Sequence, residues 1–198
     1  MKKKLIAAGI ITTLILSVSI ASFASEDPFF TFGQSISSKE TNEHVGTVNN
    51  EEIDPKEVRN YQNYLEHVEK MQSKQARKEA INKIVEDTLL YNQAKKSNLM
   101  ISKKEAIDFA KTQREQLEKA ENADEVKKSI NNLIAGLGIS EEQYWDSYVV
   151  EGYMKYNSIG KLRAEILKDV EDVNEQGKVW ADFIKGLKQS AKIELDTN

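Results

Sequence analysis

The 198-residue sequence has no cysteine, two prolines, nine glycines and two histidines. Without cysteine there can be no disulfide, iron–sulfur cluster, thiolate zinc site or cysteine nucleophile, nor the lipid of a bacterial lipoprotein, which needs a cysteine at the cleavage site. So little glycine and proline excludes a sandwich, a barrel or a collagen-like chain, which use those residues at turns or in a strict repeat. The two histidines, His44 and His67, leave little for general-base or metal chemistry. No catalytic residue, metal or cofactor is therefore expected, and the chain reads as a non-enzyme. Charged residues make up 30% and hydrophobic ones 39%, enough apolar material for the core of one domain with an appendage.

Met1-Lys2-Lys3-Lys4 precedes an apolar run from Leu5 to Ile20, and Ser22-Phe23-Ala24 then sets small residues at the −3 and −1 positions of a signal-peptidase site. That order is the signature of an export signal, residues 1–24. Cleaved after Ala24, the chain is secreted; uncleaved, residues 5–24 are long enough to anchor it in a bilayer, facing outward. Beyond residue 24 the chain carries 25 basic and 32 acidic residues, a net charge of −7. That balance argues against nucleic acid and against electrostatic binding to anionic lipid, so the leader is the sole expected membrane contact. Export without cysteine points to an extracytoplasmic place, the Gram-positive cell surface.

Residues 25–43 are mostly polar and read as a flexible linker, with Phe29, Phe30 and Phe32 either packed back on the body or left as an adhesive tail. The folded domain is expected over 44–198. Val45-Gly46-Thr47-Val48 is β-prone, and Asn49-Asn50 suits the positive φ of a tight turn into Glu51-Glu52-Ile53. From Asp54 the pattern becomes helical. Asp54-Pro55, Ser102 with Glu105, Ser140 with Gln143, and Asn122 with Glu125 mark helix starts. Apolar residues at three- and four-residue spacing define helices through Val58–Val68, Lys74–Lys96, Ala106–Leu117, Val126–Ile134 and Val179–Leu187. Another is expected to run from Ser140 to about Val173, and Gly136-Leu137-Gly138 to stop the helix before it. Lys192-Ile193-Glu194-Leu195 alternates and can pair with Thr47-Val48, closing the two ends of a mainly α domain with a short β-element.

Two motif-like stretches carry no chemistry. Gly152 to Gly160-Lys161 has the wrong spacing for a phosphate loop, with Leu162 where Ser or Thr is needed, and reads as small residues at a helix crossing. Counted from Asp169, the sixth position of a calcium loop, which needs Gly, is Asn174, so the stretch to Gly177 reads as a solvated interhelical turn. The aromatic cluster Tyr144, Trp145, Tyr148, Tyr153, Met154 and Tyr156 is more informative. Its side chains spread over two neighbouring faces, wider than the stripe one core requires. Two readings stay open: a central helix buried on both sides, or an apolar groove in which these six residues bind unfolded clients.

The order of elements resembles the N-terminal domain of SurA-type periplasmic chaperones and the related PrsA-type foldases. The matching stretches are Val45 to Ile53 with its capped helix, Ala80 to Ala94, Asn98 to Ser102, Gly138 to Trp145, and Trp180 to Ile193, together covering about 44–195. In the foldases a parvulin-type isomerase domain lies between the long helix and the closing segment; here only Asp169 to Lys178 lies there. The resemblance thus implies the helical chaperone half without the isomerase half. It implies an exported, ATP-independent chaperone-like protein that binds apolar segments of unfolded or newly translocated proteins. The alternative is a secreted adaptor that binds one specific folded partner.

Overall fold

In the computed structural model, the residues described are 27–37, 43–120 and 123–196. The expected leader lies outside them. Helix α1 (Pro28–Ser37) is followed by strands β1 (Gly46–Val48) and β2 (Glu51–Glu52), then helices α2 (Pro55–His67), α3 (Ser73–Lys96), α4 (Lys103–Lys119) and α5 (Ala123–Leu137). A short turn α6 (Glu141–Gln143), a π-helical turn (Tyr144–Tyr148) and α7 (Val149–Ile166) form one long rod, before α8 (Val173–Ser190) and β3 (Ile193–Leu195) close the chain. The mainly helical domain with a small β-element is the architecture expected from the sequence. Among the described residues, no helix is long and apolar enough to cross a membrane.

The helix starts form where their caps are. The Asp54 carboxylate accepts the Lys56 N–H at 2.8 Å, beside Pro55. Ser102 with Glu105 and Ser140 with Gln143 make reciprocal capping boxes, each supplying acceptors for otherwise orphaned amides. Asn49 and Asn50 take φ of 52° and 67°, the turn that joins β1 to β2. The sheet order is β2-β1-β3, all antiparallel, with Thr47 opposite Glu194 and Val48 opposite Ile193. The two ends of the domain therefore meet as the alternating tail predicted.

Three local expectations are corrected. Within 25–43, residues 28–37 are helix rather than linker. Asp27 Oδ1 caps it by accepting the Phe29 N–H at 2.9 Å, and Phe29 is buried with Tyr64, Leu65, Val68 and Ala76. Second, the long helix ends at Ile166 and contains a π-turn, so α8 starts at Val173, where Asp172 accepts the Asn174 N–H. Third, no helix crosses at Gly152, where an added Cβ would meet nothing within 4 Å. The close crossing is elsewhere: a Cβ on Gly33 of α1 would lie 2.5 Å from Leu133 O of α5 and 2.9 Å from Gly136 Cα. Gly136 thus serves contact, while Gly138, at φ +69°, ends α5 with its N–H 3.1 Å from Ile134 O.

Four apolar clusters share this frame. One joins α4, α5, the π-turn and the first half of α7; a second lies between the sheet, α2 and α3. A third holds α1 on α2, and the fourth lies among the C-terminal halves of α3 and α7 and the inner face of α8.

Candidate client-binding surface

The six aromatic-cluster residues do not line one groove. Tyr144, Trp145 and Tyr153 are buried in the core with Ile101, Ala106, Ala110, Ile130, Ile134 and Val150. Trp145 is 6% exposed, edge-on to Tyr144 with ring centroids 5.3 Å apart, and Tyr153 meets Phe109 edge-on at 5.1 Å. Burial raises the Tyr144 hydroxyl pKa and pushes that of Tyr153 up to about 12. Met154 is half-buried against the same core. Tyr148, 44% exposed, stacks on Tyr144 at 5.6 Å. The cause of this gathering is the π-turn: its wider winding rotates the residues after it relative to those before it. Two faces that look separate on a regular α-helix thereby pack into one core.

Tyr156 belongs to a different neighbourhood. Its hydroxyl lies 3.4 Å from Asp87 Oδ2, and Lys83 Nζ stands 5.4 Å over its ring. Asp87 is buried, with both carboxylate oxygens 2.5 Å from Lys83 Nζ. The preceding residue of α7, Lys155, pairs with Glu57 of α2. These contacts fasten α7 to α2 and α3. Among the described residues, no group of three or more His, Cys, Asp or Glu could hold a metal ion.

A shallow pocket of about 110 Å³ reaches the edge of Trp145 between α4 and α5. Ion pairs rim it, Arg114 with Glu141 at 2.6 Å and Lys127 with Glu118. Lined largely by charged and polar side chains, it offers no apolar trough for a polypeptide segment.

A second apolar contact, partly open to solvent, is on α8. This 18-residue helix has no buried residue, although it carries Trp180, Phe183, Ile184 and Leu187 at the i, i+3, i+4, i+7 spacing of an apolar stripe. These four side chains lie half-buried over Leu90 and Ala94 of α3 and Ile159 and Leu162 of α7, which are themselves buried. Trp180 stacks on Phe183 at 5.6 Å, and the Arg163 guanidinium lies 5.7 Å from the Trp180 ring. Polar ties are few: Lys188 Nζ to Glu86 Oε2 at 2.7 Å, and Gln176 Nε2 donating to Val170 O at 2.9 Å. Full burial of one large apolar side chain is worth about 1.5–3 kcal/mol, and these four, already mostly covered, leave only a minor part of that unrealised. Sequence reading saw this stripe only as packing; its signal was a tryptophan and a phenylalanine on a helix with glycines at 177 and 186.

The family model for the SurA-like N-terminal domain matches residues 3–133. The glutamate-rich protein GrpA of Alkalihalophilus pseudofirmus is 31% identical over 106 residues, which are 52% of this chain and 67% of that protein. No solved structure matches the chain. The family match includes the hairpin and α1 to α4 but stops within α5, before the π-turn and α8.

Proposed function

We propose, from the premise that the chain belongs to the SurA-like N-terminal domain family, that it is an exported, ATP-independent chaperone-like protein holding apolar segments of non-native chains. The family itself suggests a chaperone-like role. The observation that supports the finer reading is α8, an amphipathic helix whose Trp180, Phe183, Ile184 and Leu187 are partly buried and keep some solvent contact. Tyr156 borders the same cluster and stays part of the proposed surface. Tyr144, Trp145 and Tyr153 are spent on the core and lie outside that surface.

The energy scale suits transient holding. Burying three or four apolar side chains of a client at about 1.5–3 kcal/mol each, less the cost of immobilising it, corresponds to affinities around micromolar. Binding and release of this kind need no nucleotide and no covalent step. Residues 167–172 alone join α7 to α8, so the proposal includes no isomerase domain at that place.

The test is light scattering from several unrelated unfolded proteins mixed with the full chain. Protection of all of them at micromolar concentration is expected. Unchanged aggregation of every client, together with capture of one folded partner, would favour the adaptor and end the chaperone reading.

A further inference from the structure

We infer that the end of the bundle formed by the α3–α4 and α7–α8 turns is a self-association surface, where two copies of this chain meet across a two-fold axis. This goes beyond the proposed function and does not depend on it. The observation that carries it is a pair of opposite charge clusters on neighbouring turns that do not pair with each other.

Lys95 and Lys96 close α3, and Lys103 and Lys104 open α4. All four are exposed, and none is in an ion pair among the described residues. Lysines in the last turn of α3 suit the negative end of its dipole. Lysines in the first two positions of α4 do the reverse, lying at the positive end of a helix, where acidic residues are the stabilising choice. Folding of one chain thus accounts for Lys95 and Lys96 but not for Lys103 and Lys104.

The α7–α8 turn carries the opposite sign. Glu171, Asp172 and Glu175 are exposed, with Asp172 capping the Asn174 N–H. Among them stands Val173, 77% exposed. The two turns are neighbours: Lys161 Nζ of α7 lies 3.2 Å from Glu105 Oε1 in the first turn of α4, and Leu99 and Ile166 pack on the same apolar cluster. Yet among the described residues no ion pair joins the four lysines to the acidic turn. The pairs at this end are Lys161 with Glu105 and Lys168 with Glu165.

A second copy is the occupant this pattern fits. In a two-fold contact the same surface meets itself, so a basic half beside an acidic half becomes complementary to its own image after rotation. Each copy then sets its lysines against the other's Glu171 and Glu175, with Val173 as an apolar point of contact. Exposed ion pairs are individually weak and screened by salt, so the dimer is a weak one, dissociating on the order of micromolar, with charge fixing its register.

Sedimentation velocity of the full chain across the micromolar range tests this. The leader is common to every protein compared, so differences among them report this end. Wild type should dimerise in about 0.1 M salt and dissociate at least about tenfold more readily in about 1 M salt. Lys103→Glu with Lys104→Glu, and separately Glu171→Lys with Glu175→Lys, should each weaken the dimer by about tenfold or more. An equimolar mixture of the two reversed proteins should dimerise about as well as wild type, because each reversed half again meets its opposite. Circular dichroism checks each fold, and Glu171→Gln with Glu175→Gln, gentler on α8, should weaken the dimer in the same direction. A wild type monomeric throughout in about 0.1 M salt, a dimer unmoved by either reversal, or a mixture that stays monomeric overturns the proposal.

Discussion

The contact between Gly33 and Gly136 turns one chemical change, glycine to alanine in a helix, into opposite outcomes at different places. At Gly33 the new methyl would lie 2.5 Å from Leu133 O and 2.9 Å from Gly136 Cα; at Gly136 it would run into Phe30 O and lie 3.0 Å from Gln34 N. Those neighbours are backbone atoms of helices, which cannot rotate away. Relief requires α1 and α5 to separate, which loosens Phe29 and Ile36 in their buried positions. Overpacking of this kind costs about 1–3 kcal/mol or more, against a helix-propensity gain of about 0.5–1 kcal/mol. Gly152→Ala and Gly186→Ala meet no atom within 4 Å and should keep the whole gain of about 0.5–1 kcal/mol. At roughly 2–4 °C per kcal/mol for a domain of this size, thermal melts followed by circular dichroism should show Gly33→Ala and Gly136→Ala below wild type by several degrees and the other two above it. A Gly33→Ala protein melting at or above wild type, or a destabilised Gly152→Ala, would refute the assignment of the crossing to α1 and α5.

Further outcomes follow from other groups. Ser158 is fully buried, its Oγ accepting the Ile101 N–H at 3.0 Å and donating to Met154 O at 2.7 Å; Ser158→Ala leaves that amide unpaired and should lower stability by about 1–3 kcal/mol in urea titration. The Ser102 amide and hydroxyl, with Lys161, hold the Glu105 carboxyl down at about 2 from an ordinary 4.5. Because the folded value is the lower one, the stabilisation is complete above pH 4.5 and is lost as pH falls towards 2. The stability gap between wild type and Ser102→Ala should therefore shrink across that window, measured as melting temperature against pH; a constant gap would contradict the linkage. A proline-isomerisation assay should give the uncatalysed rate, and any acceleration would defeat the non-enzymatic reading.

Much of the frame was readable because it depends on local chemistry. Asp54-Pro55 and the two capping boxes announce their helices through side chains that satisfy nearby amides, and the alternation at Ile193 and Leu195 announced the pairing with β1. Helix α1 was hidden because its stability comes from contact rather than propensity: Gly33 reads as a breaker until Gly136 is brought against it. The aromatic cluster was misplaced for a similar reason. Six residues were legible as an apolar surplus, but a π-turn is set by tertiary packing, and it moved Tyr144, Trp145 and Tyr153 inward. The incomplete burial of α8 depends on how far α3 and α7 extend beneath it, which periodicity along one helix does not record.

The most direct measurement is client protection by surface variants that keep the fold. Trp180→Ser with Phe183→Ser removes the apolar half of the α8 contact, whereas Tyr148→Ser alters an exposed ring away from it. Light scattering of a heat-unfolded client should show the double variant losing most of its protection while Tyr148→Ser protects as wild type does. Equal protection by all three proteins, with circular dichroism showing each folded, would contradict the account.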